Sequence, residues 1–337
     1  MLNTAAIGTG YWGTNVVRVL SKTSNLKYIC DLDEALLNRS YSKGFSNAEL
    51  VSDYRYVLED RTIDAVFIAT PPSTHHKIAI AALEAGKHVF IEKPMTVTSA
   101  EAKDIVKLSD KKDLKVAVGH VFLYSAPVLQ VKKILDEGSL GEILHVSMTR
   151  QNLGRFQPHC DAIYDLAPHD LSMLLYWFPG FDIEESRVTV FHHYKKLQPD
   201  TAYVGLTTKN GGPTVSLSYS WVFPHKIRNV VIVGERKSIV YDDTNVNSPV
   251  QVFDKGVEIM NDNFGDFICS YRTGDIYSPY VAIKEPLTLE ITAFLDHIEY
   301  GDEIANTAEN GKRVIELLEA IKRQGDIDTL EESPLDG

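Results

Sequence analysis

The chain has 337 residues, 44% hydrophobic and 24% charged, enough for two globular domains with a core each. A formal net charge of −12 leaves no basic footprint, which excludes nucleic acid and anionic membrane surfaces as main partners and leaves small molecules. No apolar run reaches the ~18 residues of a membrane span, and Cys30, Cys160 and Cys269 offer neither a disulfide framework nor a metal-site spacing.

In chain order, "TAAIGTG" predicts a strand running into a Gly-rich turn, and "TNVVRVLSK" a helix with Val16, Val17 and Leu20 on one side. "LKYICD" predicts a second strand. "AVFIAT" and "KHVFIE" are short continuous apolar runs, as expected of parallel strands covered on both faces. Between them "HHKIAIAALEAG" predicts a helix closed by Gly86. "SAEAKDIVKLSDKKD" predicts a helix N-capped by Ser99, and "KVAVGH" another strand. This alternation predicts an α/β fold: a doubly wound, Rossmann-type dinucleotide-binding domain over residues 1–119.

Residues 120–337 read differently. "SAPVLQVKKILDEG" and "YDLAPHDLSMLLYWF" predict helices, and "EILHVSMTRQN" between them an extended segment. From 186 to 260 follow "RVTVFHH", "AYVGLTT", "TVSLSYSWV", "NVVIVGE", "SIVYDD" and "PVQVFD", with "NGGP" marking a hairpin. Helices over 287–300 and 307–323 complete an α+β domain on a mostly antiparallel sheet, followed by an acidic solvated tail over about 325–337. The N-terminus has no basic region followed by an apolar stretch, and the expected location is cytoplasmic.

Two places carry chemistry. Gly8-Thr9-Gly10-Tyr11-Trp12-Gly13 is a GxGxxG turn between a strand and a helix. Its first glycine permits the tight turn, the second lets the backbone approach a pyrophosphate, and the third lets helix and strand pack closely. Asp31 closes the next strand about twenty residues later, where it can accept hydrogen bonds from ribose hydroxyls and repel a 2′-phosphate. That favours NAD over NADP. Tyr11 and Trp12 are bulkier than the turn requires; they flank the cofactor or pack against the next loop.

The second place is "FIEKPMTV", where Lys93 follows a strand whose C-terminal end lies on the cofactor side of such a sheet. Pro94 stiffens the chain beside it and biases Lys93 towards an extended backbone. A partner cluster is Asp165-Leu-Ala-Pro-His169, in which residues four apart share a helix face. Pro168 either begins the regular helix or kinks it.

The "GTGYWG" turn, "EKP", "DLAPHD" and "EPLTLEITAF", in this order over nearly the whole chain, resemble the Gfo/Idh/MocA oxidoreductases. The resemblance implies a catalytic group of Lys93, Asp165 and His169, and a second domain whose open sheet forms homodimers or homotetramers. Hydride transfer from a carbinol needs a base for the hydroxyl proton. Lys93 and His169 are the candidates, and Asp165 can orient them. Lys93 is also an expected cofactor contact, and the resemblance places others at Thr70, Pro71 and His75 in "ATPPSTHH". Glu92 is expected at the cofactor end of the loop, pointing away from substrate and fixing the loop.

"RQNLGRFQPHCDAIYDLAPHD" supplies Arg150, Asn152, Arg155 and His159, polar side chains suited to a sugar. Tyr277 and Tyr280 precede a late helix, and His120 and Tyr124 follow the last strand of the first domain. Of these, Asn152, Arg155, His120 and Tyr280 are candidate substrate contacts, with Lys93 and His169. The arrangement is similar to family members that oxidise UDP-linked amino sugars at C3 in surface-polysaccharide or nucleotide-sugar pathways. The expected activity is an NAD-dependent sugar dehydrogenase that needs no metal. The alternatives are a free-sugar or cyclitol dehydrogenase, an NAD-dependent glycosidase, and a non-catalytic NAD-binding regulator.

Overall fold

The computed structural model describes residues 1–42, 47–154, 156, 160–194, 198–261, 267–282, 284–324 and 328–329. The first stretch is β1 (Asn3–Ile7), α1 (Gly13–Thr23), β2 (Asn25–Cys30), α2 (Glu34–Ser42), β3 (Glu49–Val51), α3 (Tyr54–Glu59), β4 (Ala65–Ile68), α4 (Pro72–Glu84), β5 (His88–Glu92), α5 (Ser99–Lys112) and β6 (Val116–Gly119). The six strands form one parallel sheet in the order β3-β2-β1-β4-β5-β6. Chain order reverses between β1 and β4, and the crevice outside their carboxyl ends is where such sheets bind dinucleotides. Residues of β4 and β6 are buried without interruption, as their apolar runs require. The cap of α5 is Thr98, not Ser99. Thr98 accepts the Glu101 backbone N–H at 3.3 Å while Glu101 accepts that of Thr98 at 3.2 Å, a reciprocal pair Ser99 is one residue too late to make.

Next come α6 (Ala126–Asp136), β7 (Ile143–Leu153), α7 (Ala162–Trp177), β8 (Ile183–Phe191), β9 (Thr201–Thr208), β10 (Thr214–Ser220), β11 (Val222–Gly234), β12 (Ser238–Asp242), β13 (Val250–Asn261) and β14 (Phe267–Tyr277). Helices α8 (Pro286–Tyr300) and α9 (Ala308–Gln324) follow, then the short β15 (Asp328–Thr329). The second sheet has the order β14-β13-β12-β11-β7-β10-β9-β8-β15 and is antiparallel except at β7/β10 and β8/β15. The "NGGP" turn joins antiparallel β9 and β10, with Asn210 and Gly211 both at positive φ (59° and 70°).

The chain divides into two compact units, Met1–Ser125 with Lys284–Glu316, and Ala126–Ile283 with Leu317–Gly337. The sequence reading, with its boundary at 119/120, assigns 284–316 to the second domain instead. The physical reason for the difference is α8. Leu287, Ile291, Phe294 and Leu295 join the core of the first unit. There Phe294 meets Phe67 and Phe90 at ring-centroid distances of 5.8 and 5.7 Å, edge-on and tilted, while those two stack on each other at 5.2 Å. Contacts of this kind contribute about 0.5–1.5 kcal/mol each beyond their burial. No described helix is long and apolar enough to cross a membrane.

Candidate active site

The Gly-rich turn leaves β1 and enters α1 at the switch point of the first sheet. Gly8 has φ +96°, and a Cβ there would stand 2.6 Å from Ala69 O; one on Gly13 would stand 2.1 Å from Gly8 O. A Cβ on Gly10 would meet nothing within 4 Å, so its backbone faces open space. The first turn of α1 carries no acidic side chain, and its N-terminal end is free to attract an anion. These features fit the pyrophosphate of a dinucleotide.

Asp31 holds the turn in place. Its Oδ2 accepts the Thr9 backbone N–H at 2.6 Å and the Thr9 hydroxyl at 2.9 Å, and its Oδ1 accepts the Asp33 N–H at 3.0 Å. A carboxylate has about four acceptor positions, so roughly one remains for a ribose hydroxyl. Asp31 thus has a structural share that the ribose role alone does not convey. Tyr11 is exposed, and Trp12 is partly exposed with its indole turned towards β5.

That indole donates to Glu92 Oε1 at 2.6 Å, and the Lys93 backbone N–H donates to Oε2 at 3.3 Å. Glu92 therefore fixes the loop to the dinucleotide turn through a side chain that is itself buried. Burial pushes its carboxyl up to about 7, against the pull of the Trp12 bond, the Lys93 N–H and the Lys93 charge. The Lys93–Pro94 peptide is cis.

His75, expected at the cofactor, has other partners. It lies buried in the first turn of α4, Nε2 at 2.7 Å from Thr70 O and Nδ1 at 3.0 Å from Pro94 O. Burial pushes its pKa down, and a neutral ring donates to only one of the two carbonyls. It braces the loop after β4 against the loop after β5, and its polar atoms are not directed at a ligand. Thr70 pairs its hydroxyl with that of Thr74 at 2.7 Å, and Pro71 is the exposed cap of α4.

His120 follows β6 and is buried in the first unit, with neither ring nitrogen hydrogen-bonded among the described residues. Burial and then the Lys93 charge push its pKa down to about 3. Tyr124 donates its hydroxyl to Asn306 Oδ1 at 2.7 Å.

In the second unit, α7 carries Asp165 and His169 four residues apart, one turn on the same face. Asp161 caps it by accepting the Tyr164 N–H at 2.8 Å. Pro168 lies inside the helix rather than at its start, removing the bond that would run back to the Tyr164 carbonyl. Asp165 Oδ2 accepts the Trp221 indole N–H at 3.2 Å, which fixes the carboxylate.

Arg150 is not available to a ligand: it is buried, with its Nε 2.5 Å from Asp170 Oδ1. Asn152 is half-buried near the end of β7, and Tyr280 is 90% exposed. Arg155 and His159 lie outside the described residues. Among the described residues no group of three or more His, Cys, Asp or Glu is placed to hold a metal ion. Cys30 is buried and its thiol pushed up to about 12 by burial, and Cys160 is half-buried.

The sequence reading missed Glu290, Asn306 and Asp170. The two acids had a signal: Glu290 falls between Leu287, Ile291 and Phe294, and Asp170 between Ala167, Leu171 and Leu174, at the spacing of a core-facing stripe. An acid on such a stripe is either paired or functional.

Comparison with known proteins agrees with this architecture. Residues 2–120 match the oxidoreductase family with NAD-binding Rossmann fold, and residues 132–326 match that family's C-terminal alpha/beta domain. The chain belongs to the Gfo/Idh/MocA oxidoreductase family, and its N-terminal part is an NAD-binding Rossmann domain. Inositol 2-dehydrogenase of Salmonella typhimurium is 26% identical over 193 residues, 56% of this chain and 57% of that enzyme. The NADP-dependent scyllo-inositol 2-dehydrogenase of Bacillus subtilis is 30% identical over 148 residues, 40% of each chain. The chain thus spans about half the length of the curated relatives it matches. UDP-N-acetylglucosamine 3-dehydrogenase of Acidithiobacillus ferrooxidans shares the fold, with a TM-score of 0.79 over 96% of this chain and 97% of that one at 24% identity.

Proposed function

We propose that this protein is an NAD-dependent dehydrogenase that moves a hydride between nicotinamide and a sugar carbinol, C3 of a UDP-linked amino sugar. The observation that carries the reading is the 2.6 Å bond from Trp12 of the dinucleotide turn to Glu92, the residue before Lys93. It ties a lysine to the end of the sheet where a dinucleotide binds. The cofactor, when bound, supplies a hydride acceptor. Gly8, Gly10 and Gly13 admit its pyrophosphate and Asp31 its ribose, disfavouring a 2′-phosphate. Lys93 and His169 take and return the carbinol proton, and Asp165, fixed by Trp221, orients the histidine. Asn152, Arg155, His120 and Tyr280 are the proposed sugar contacts. The reading includes a homodimer or homotetramer, supported by Val257 and Tyr271, exposed apolar neighbours on paired strands β13 and β14.

The dehydrogenase of Acidithiobacillus ferrooxidans, acting on UDP-N-acetylglucosamine, supports the nucleotide-sugar reading. A cyclitol as substrate is the second reading, favoured by the inositol dehydrogenases among the relatives. The test is a panel of UDP-sugars, free hexoses and inositols mixed with NAD, followed at the NADH absorbance band, with 2-oxoglutarate in parallel wells to recycle bound NADH. Turnover with a UDP-amino sugar is expected. Turnover with inositols alone selects the second reading, and sugar release without net NADH selects a glycosidase.

A further inference from the structure

Two buried carboxylic acids of the first unit flank the carboxyl end of β6, and hydride transfer as proposed uses neither. Glu92 is 8% exposed and Glu290, on α8, 0%. Glu92 Oε2 occupies the space a side chain on Gly119 would need, since a Cβ there would stand 2.7 Å from it. The backbone N–H of the next residue, His120, donates to Val118 O at 2.7 Å. Glu92 therefore lies against Gly119, and Glu290 is tied to the neighbouring Val118 carbonyl through Asn306. Asn306 Nδ2 donates to Glu290 Oε1 at 3.1 Å and to Val118 O at 2.8 Å, and Tyr124 holds the Asn306 carbonyl. Of the titratable groups around them, Glu92 feels the charge of Lys93, Glu290 that of Glu92, and the buried His120 after β6 that of Lys93. Among the described residues Glu290 Oε2 has no hydrogen-bond partner.

We propose that Glu92 and Glu290 form an acid pair carrying a single negative charge, held on Glu92 by the Trp12 indole, and that this charge couples the dinucleotide turn to the Lys93 loop. Both acids are positioning residues. The proposal rests on the assignment of Lys93 made above. Two carboxylates in one buried site repel too strongly to ionise together, and they titrate as a unit. Glu92 receives the indole N–H, the Lys93 N–H and the lysine charge, all of which favour its ionised form. Glu290 has only the Asn306 amide among the described residues, and burial followed by the charge of Glu92 pushes its pKa well up. The shared proton therefore resides on Glu290. Since burial places Glu92 at about 7, the charge develops across neutral pH. The indole bond then becomes charge-assisted and roughly twice as strong. The turn is held more firmly on the alkaline side, where NAD binds more tightly.

The test uses the full-length chain without NAD or substrate and follows tryptophan emission from about pH 5.5 to about pH 8.5, around the ordinary and shifted carboxyl values. Subtracting the Trp12→Phe variant isolates Trp12. Wild type should show a transition near neutrality that disappears in Glu92→Gln. Glu290→Gln should keep that midpoint, because its own acid is already neutral there. Calorimetric NAD affinity should rise about three- to tenfold over the same range in wild type and stay flat in Trp12→Phe and Glu92→Gln, as expected for loss of one charge-assisted bond. A Trp12 signal flat with pH overturns the proposal. So does a midpoint in Glu290→Gln at least one unit lower, which would place the charge on Glu290. The emission titration needs neither cofactor nor turnover. Failure of Lys93 as a catalytic residue would show instead as unchanged turnover in Lys93→Ala, with a Trp12 transition still present and its midpoint raised by loss of the lysine charge.

Discussion

Helix α7 of the second unit and helix α8 of the first each bury one acid on a core-facing stripe, yet the two acids meet different company. Asp170 lies 2.5 Å from the Arg150 guanidinium, itself buried on β7. Glu290 is equally buried and meets the Asn306 amide and the field of a second acid. A buried acid matched with a buried cation is held for structure, pinning the helix of Asp165 and His169 to the sheet. A buried acid whose neighbour is another acid is costly to charge, so it keeps its proton and leaves the titration to that neighbour.

Four comparisons sharpen this contrast. His169→Ala should have the largest effect, lowering turnover about 10²–10⁴-fold, the usual worth of a positioned acid–base group, with NAD binding retained by calorimetry. Turnover unchanged would remove α7 from the chemistry. Asp170→Ala comes next: taking the carboxylate away from the buried Arg150 should lower unfolding free energy by about 3–5 kcal/mol in urea melts, whereas Glu290→Gln should cost about 1 kcal/mol or less. Equal losses in both would erase the distinction between the two acids.

The third concerns pH. The folded-state pKa of Glu92 is raised to about 7 from 4.5, so the folded state binds more protons than the unfolded chain between these values. Its contribution to stability is complete below the unfolded value and is lost as pH rises through the folded one. Wild type should accordingly lose on the order of 1–3 kcal/mol between about pH 4.5 and about pH 7 relative to Glu92→Gln. Parallel melting profiles of the two proteins would contradict the burial argument. The smallest effect is expected at Asp31→Ala. Loss of the Thr9 anchor and the remaining ribose contact should weaken NAD about tenfold and NADP less. Equal weakening would leave Asp31 only its structural share.

The glycine turn, Asp31, the lysine loop and the Asp165/His169 spacing were legible because each is a local pattern with its own chemistry. The Trp12–Glu92 bond was not, because its partners are 80 residues apart and only the order β1-β4-β5 brings their strand ends together. His75 looked like a ligand residue for a similar reason: nothing in "ATPPSTHH" shows that Pro94 O will face its ring. Strands β3 and β14 were not read. The first is only three residues long, and the second carries charged and polar residues through much of its length. The return of 284–316 to the first unit was hidden because the partners of its apolar stripe, Phe67 and Phe90, lie some two hundred residues earlier in the chain.

The central claim is that Lys93 does chemistry at a bound dinucleotide rather than binding it. The most direct measurement is single-turnover hydride transfer in wild type and Lys93→Ala, with whichever sugar the panel identifies and NAD affinity determined on the same samples. The account predicts NAD affinity within about threefold of wild type and a transfer rate lower by about 10²-fold or more. Transfer at the wild-type rate, or loss of NAD binding in step with it, would contradict the account.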